Sequence, residues 1–273
     1  MGSKLHHGRV ALLLACCAAV CAVAASPAAA APLAHGQTLH LVKPRLHANT
    51  NQSNNWFGYN QGTLEQGSKL FNSISGDWTV PTATQHASGD EASSDWIGIG
   101  GGCIDAGCTV GDNTLIQTGT EQDVSGGTAS YGAWWELVPA PSISIDTMTV
   151  QPGDHMHADI TEVAAGSDLW TITLQNVTRG QTFTQTVPYP STHATAEWIE
   201  ETPLEIGTSP GLAALPNLTT VPFTNAKTNG ASANLKASEE IQLIDSAGSV
   251  IGSPSAPNAS GDGFSACAWA TTC

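Results

Sequence analysis

Three short polar clusters in this sequence hold the residue types that acid–base chemistry needs. The first spans 115–121, where Gln117 and Glu121 fall on the same side of an extended chain as Leu115. The second spans 131–139, where Trp134 and Glu136 share a side. The third spans 196–201 and contains Glu197 beside Trp198. Aromatic walls strip water from a carboxyl and raise its pKa. A Glu near its pKa can take a proton from water in acid, where a His is already protonated. A Gln keeps one charge state at any pH. Its carbonyl can hold a water, and its NH2 can donate to a developing oxyanion. Each cluster taken singly also fits a half-exposed strand with ordinary Trp packing.

Other catalytic signatures are missing. There is no H-E-x-x-H and no Asp-Thr-Gly or Asp-Ser-Gly. One G-x-S-x-G occurs, Gly207-Thr208-Ser209-Pro210-Gly211. A nucleophile elbow needs the N–H of the residue after Ser, and Pro210 has none. That segment reads as a surface turn. His155 and His157 stand two apart on one side of a strand and could hold a metal. They oppose Met156 and Ala158, so the expectation is that they face solvent. No metal and no cofactor is expected.

The elements that must carry these clusters read as strands. Residues 168–177 alternate, with Trp170, Ile172 and Leu174 on one face and Thr171, Thr173 and Gln175 on the other. Arg179-Gly180 turns into a second run, 181–187, which predicts a hairpin. Pro152-Gly153 leads into another strand, 154–163, with Met156, Ala158 and Ile160 inward. No long helical period, repeat or linker interrupts the pattern, and 247–263 reads as loop. The expectation is an all-β domain, a β-sandwich or barrel of short antiparallel strands.

The N-terminus has another character. Lys4 and Arg9 precede an apolar run over 10–25, and small residues crowd Ala29, Ala30 and Ala31 ahead of Pro32. That predicts a signal peptide over 1–31 and a secreted protein with no membrane attachment after its removal. Residues 32–53, with His35, His40, His47, Lys43 and Arg45, read as a short pro-segment or a loose N-terminus. The folded domain is placed at 54–273. Cys16, Cys17 and Cys21 leave with the leader, and four of the seven cysteines remain. Local disulfides Cys103–Cys108 and Cys267–Cys273 are favoured; other pairings, and zinc, stay open.

The chain carries 23 Asp and Glu against eight Lys and Arg, a formal net charge of −15. That excludes nucleic acid and anionic lipid as partners. With so few cations, acid has few ion pairs to break, which fits work at low pH.

The segments Asn54-Asn55-Trp56-Phe57-Gly58-Tyr59, Gly76-Asp77-Trp78-Thr79-Val80-Pro81, Trp96-Ile97-Gly98-Ile99-Gly100, Gln117-Thr118-Gly119, Trp135-Glu136-Leu137-Val138-Pro139 and Ala196-Glu197-Trp198-Ile199-Glu200 occur in this order. The set resembles the ordered motifs of the glutamic peptidases, or eqolisins. The resemblance implies a sandwich of two large antiparallel sheets of the concanavalin-like jelly-roll type. It implies an endopeptidase that hydrolyses polypeptides in acid, is insensitive to pepstatin and works as a monomer. Gln117 and Glu197 would be the catalytic pair and Glu136 a supporting carboxylate, with Glu121 in the outer shell. Trp56, Trp96 and Trp134 would line the cleft. The family usually has Asp where this chain has Gly100 and where it has Glu121, and a longer Gly-Gly-Cys loop follows Gly100.

Two other classes use some of the same residues. A glycoside hydrolase could pair Glu136 with Glu197 and would not need Gln117. A lectin-like module could stack sugars on the tryptophans and use neither polar residue.

Overall fold

The computed structural model describes Gly2, Gln37–Leu39, Leu46–His47, 51–206 and 211–273. The expected signal peptide but for Gly2, most of the segment 32–53 and Ser209 therefore lie outside the described residues. Residues 35–273 form one compact unit.

The main strands are β1 (Trp56–Gly62), β2 (Ser73–Thr79), β3 (Glu91–Gly100), β4 (Leu115–Ser125), β5 (Thr128–Val138), β6 (His155–Glu162), β7 (Leu169–Asn176), β8 (Gln181–Pro188), β9 (Thr195–Glu201), β10 (Val221–Thr228), β11 (Glu240–Ile244), β12 (Val250–Pro254) and β13 (Phe264–Ala268). One sheet runs β5-β4-β3-β9-β1-β11, and every neighbouring pair is antiparallel. The other runs β8-β7-β6-β2-β10-β13-β12-β11, again antiparallel throughout. Strand β11 belongs to both. Its start pairs with β1 (Glu240↔Tyr59) and its end with β12 (Leu243↔Gly252), so the hydrogen-bonded ladder passes from one sheet to the other. The all-β sandwich of two large antiparallel sheets is the expected architecture.

The core fills the space between the sheets. Phe57, Tyr59, Ile97, Ile99 and Trp198 on one side meet Met156, Ile160, Trp170, Leu174 and Phe223 from the other. Each such side chain, fully buried, contributes about 1.5–3 kcal/mol of transfer free energy. The alternation over 168–177 holds: Trp170, Ile172 and Leu174 are buried in β7, and Asn176 pairs with Gln181 across the turn into β8. The outward threonines meet in pairs, Thr171 with Thr186 and Thr173 with Thr184. Both local disulfides are present, Cys103–Cys108 and Cys267–Cys273.

One expectation fails. The 247–263 stretch contains strand β12, which pairs on both edges, with β11 and β13. Its small residues reflect a close approach rather than a loop: a Cβ on Gly252 would stand 3.0 Å from the Phe57 ring.

Two further pairings tie the N-terminal segment to this body. Gln37–Leu39 lies antiparallel to Leu204–Ile206, which follow the end of β9, and Leu46–His47 pairs with Gln52–Ser53.

Candidate active site

Successive side chains of a strand point to opposite faces, so the sheet β5-β4-β3-β9-β1 has a second face turned away from the core. Cross-strand register orders that face into rows. One row reads Asn60, Glu197, Gly98, Gln117, Glu136 from β1 across to β5. All three clusters singled out in the sequence thus meet on one line. Neighbouring strands are about 4.8 Å apart, so Glu197 and Gln117, two strands apart, start about 10 Å from each other. Gly98 between them has no side chain, which leaves room for both to lean inward. The space is already tight: a Cβ on Gly98 would stand 2.8 Å from Leu115 Cδ1, 3.0 Å from the Trp96 ring and 3.2 Å from Gln117 Cβ.

Gln117 and Glu197 are both fully buried. Gln117 Nε2 donates to Glu136 Oε2 at 2.6 Å, and its Oε1 has no partner among the described residues. A carboxylate can only accept, so Glu136 fixes which way the Gln117 amide faces. Neither oxygen of Glu197 has a hydrogen-bond partner among the described residues. Burial pushes its carboxyl well above the usual range. The Thr195 hydroxyl and the Gly102 N–H beside it offset that only in part, and the charge of Asp112 adds to the rise. A buried acid poised this way can give and take a proton in acid solution.

The next row carries Ile199, Trp96, Gly119 and Trp134, and the one beyond it Trp56, Glu201, Ser94, Glu121 and Gly132. The three tryptophans are fixed by neighbours. Trp56 and Trp96 meet edge to face, with centroids 4.8 Å apart at 75°. Trp96 Nε1 donates to Glu201 Oε2 at 2.8 Å, and Trp134 Nε1 to Ser94 Oγ at 3.0 Å. They form one apolar cluster with Leu115, Val138, Ile199 and Ile241. Glu121 lies two rows from Gln117, on the far side of this cluster.

On the other side of the dyad row, Tyr189 closes the site. Its hydroxyl donates to the Val138 carbonyl at 2.8 Å and accepts from Leu115 N–H at 2.7 Å. Burial pushes its pKa up to about 12, with Asp112 and Glu136 adding to the shift.

The loop after Gly100 covers Glu197. Gly100 sits at φ +97°, and a Cβ there would stand 1.9 Å from the Thr114 carbonyl oxygen. No Asp fits at that position in this backbone. Gly102 presses on the site, since a Cβ on it would stand 2.4 Å from Glu197 Oε1. Asn60 clamps the next residue from both sides: its Nδ2 donates to the Cys103 carbonyl, and its Oδ1 accepts from Cys103 N–H, both at 3.0 Å. Sequence reading missed Asn60, Gly98, Gly102 and Asp112. Asn60 had a signal, being four residues past Trp56 on the same side of a strand.

His155 and His157 lie elsewhere, on the outer face of the second sheet. Both reach Asp77, at 3.2 and 2.5 Å. No group of three or more His, Cys, Asp or Glu among the described residues could hold a metal ion. Among the described residues, no helix is long and apolar enough to cross a membrane.

The fold has close counterparts. A scytalidoglutamic peptidase solved with a transition state analog inhibitor superposes with a TM-score of 0.60, at 21% identity, covering 79% of this chain and 98% of its own. SCP-B, solved with the tripeptide Ala-Ile-His, gives 0.56 at 21% identity over the same shares, 79% and 98%. Aspergilloglutamic peptidase from Aspergillus niger gives 0.52 at 30% identity, covering 65% of this chain and 99% of its own. A search of curated protein sequences gave no match. The model of the peptidase A4 family, the eqolisins, matches residues 54–261, and the chain belongs to that family.

Proposed function

We propose that this protein is a secreted acid endopeptidase in which Gln117 and Glu197 activate one water across Gly98. The observation that carries this is the single row Glu197, Gly98, Gln117, Glu136 on the outward face of one sheet. Glu197 takes a proton from the water as it attacks the peptide carbonyl. Gln117 has two amide hydrogens, and Glu136 holds one of them. The other is free to donate to the oxyanion, which for such a donor supplies about 3–4 kcal/mol of the barrier reduction. Glu197 then returns its proton to the departing amine. A carboxyl held above its normal pKa is suited to both transfers. No metal is required. Trp56, Trp96 and Trp134 give the neighbouring rows an apolar floor for an extended polypeptide.

The dyad is fully buried, so substrate entry requires the site to open. Residues 32–53 act as a removable segment. Its Gln37–Leu39 strand occupies the edge of Leu204–Ile206, a backbone edge that an extended chain can otherwise use.

Hydrolysis of a denatured protein between pH 2 and 5 tests this. Glu197→Gln and Gln117→Ala each lose activity by orders of magnitude, and the double variant loses less than the sum, because both groups hold one water. Glu136→Gln loses less and changes the pH profile. Pepstatin and chelators leave the enzyme active. Full activity in a folded Glu197→Gln variant overturns the assignment, and polysaccharide cleavage without proteolysis replaces it.

A further inference from the structure

The loop between β3 and β4 carries a second acid to the dyad. Asp112 is 1% exposed. Its Oδ1 accepts from Thr114 N–H at 2.9 Å and from Thr114 Oγ1 at 3.0 Å, and Thr192 Oγ1 donates to its Oδ2. All three contacts are donors to the carboxyl, the pattern of an ionised group. Its backbone N–H donates to the Gly102 carbonyl at 2.9 Å. Gly102 in turn donates its N–H to Thr195 Oγ1 at 3.1 Å and leaves no room for a side chain beside Glu197, since a Cβ on it would stand 2.4 Å from Glu197 Oε1. Asp112 is therefore bound on one side to the residue that lies on the base, and on the other to the segment that leads into β9. Among the described residues, Asp112 is the one charge that acts on Glu197. From β1 Glu197 meets Asn60, from β3 Gly98, and from β4 Gln117, all neutral. Glu136 stands beyond Gln117, and Tyr189 is the other titratable group beside Asp112.

We propose that Asp112 is a positioning residue for the reaction, a buried carboxyl tied through Gly102 to the place of Glu197, and that it sets the acid limb of the pH–rate profile. Two like charges in a water-poor site disfavour ionisation of the one with fewer hydrogen bonds. That one is Glu197, which has only the Thr195 hydroxyl and the Gly102 N–H beside it and neither in hydrogen-bond geometry, whereas Asp112 has three donors in contact. The Coulombic influence of Asp112 on Glu197 has this sign.

The proposal rests on Glu197 being the base, and its test separates the two. In Asp112→Asn the acid limb of kcat/KM moves to lower pH by roughly one unit, up to about a tenfold gain in activity at the acid end. Asp112→Glu keeps the charge and holds the limb near its original place. Asp105→Asn is the structural control. Asp105 ties the same loop through Thr109 Oγ1 and Val110 N–H but is half-exposed and is not among the charges that act on Glu197. Its loss can loosen the loop without moving the limb. An unmoved limb in folded Asp112→Asn overturns the proposal, as does an equal shift in Asp105→Asn. A readout independent of activity labels the carboxyl carbons with 13C and follows the Glu197 resonance in wild type, Asp112→Asn and Asp112→Ser. The Glu197 midpoint falls in both variants. An unmoved midpoint in whichever variant folds overturns the proposal, and it does so whether or not Glu197→Gln proves inactive.

Discussion

Gln117 and Glu197 share one register partner, Gly98, which stands between them in the row. The geometry of the proposed dyad is therefore a property of a glycine that takes no part in the proposed chemistry. Gly98→Ala puts a methyl within 2.8–3.2 Å of Leu115, Trp96 and Gln117. Overpacking of this kind costs about 1–3 kcal/mol, and the fold survives it. Activity falls far more than stability, because Gln117 is displaced from its place beside Glu136. Urea midpoints and kcat/KM, measured together, check this; parallel modest losses in both would remove Gly98 from the site.

The thiol and N-terminal chemistry make a second expectation. The mature protein has no free thiol after denaturation, since Cys103–Cys108 and Cys267–Cys273 account for all four cysteines beyond the leader. Edman sequencing of secreted material finds a start after Ala31, or near Asn54 once the basic segment is removed. Protonation of the acidic body loosens that segment by weakening its attraction. A product beginning at Met1 excludes export through a cleaved leader.

A third concerns the outer face of the second sheet. The hydrogen bond and charge of Asp77 raise the His157 pKa, and those same contacts hold the Asp77 carboxyl below its usual range despite burial. A raised His contributes stability that is complete below its unfolded pKa, about 6.5, and lost as pH rises through the folded value. A lowered Asp contributes above about 3.9, and its share is lost as pH falls through the folded value. The pair therefore stabilises the protein most at mildly acidic pH, and the His157 share is lost as pH rises towards 8 while the Asp77 share remains. His157→Ala lowers the urea midpoint near pH 5 by about 1 kcal/mol or less, because the imidazole is partly exposed and screened. His155→Ala does less, since its ring is 47% exposed. An equal effect of His157→Ala at pH 5 and pH 8 would contradict the ion pair.

Much of this was legible in the sequence, and the limits are physical. The hairpin of β7 and β8 could be read because one face of each strand meets the core and the other meets water. Strand β12 could not, because Gly252 is chosen by its contact with Phe57 in another strand, and local composition then imitates a loop. The three polar clusters were visible as residue types. Their assembly into one row depends on register between strands far apart in sequence, which no local pattern encodes. Asp112 was hidden for the same reason. Its proposed role follows from where the segment between β3 and β4 lands, with Gly102 against Glu197 and Asp112 bonded to Gly102.

The last expectation comes from the inner face of the catalytic sheet. Asp95 and Glu200 are direct register partners, both fully buried between the sheets. Burial raises Asp95 to about 6 and Glu200 well above the usual range; Asp95 pushes Glu200 further up, whereas the hydrogen bond from Glu200 holds Asp95 down in part. Neutral neighbours surround them: Thr120 Oγ1 reaches Asp95 at 3.4 Å, Trp78 Nε1 donates to Thr120 at 2.9 Å, and Gln122 Nε2 reaches Glu200 at 3.5 Å. No cation offsets the pair among these contacts. For a carboxyl whose folded pKa is raised, stability is complete below the unfolded value of about 4 and declines as pH rises through the folded one. The pair thus makes the fold more stable in acid than at pH 8. Glu200→Gln removes the more strongly shifted group and flattens the decline; Asp95→Asn flattens it less. In acid both variants lie close to wild type, because a protonated carboxyl and an amide have similar size and polarity. Urea midpoints from pH 4 to pH 8 give the comparison. A Glu200→Gln curve that falls in parallel with wild type would place the origin of the pH dependence outside this pair.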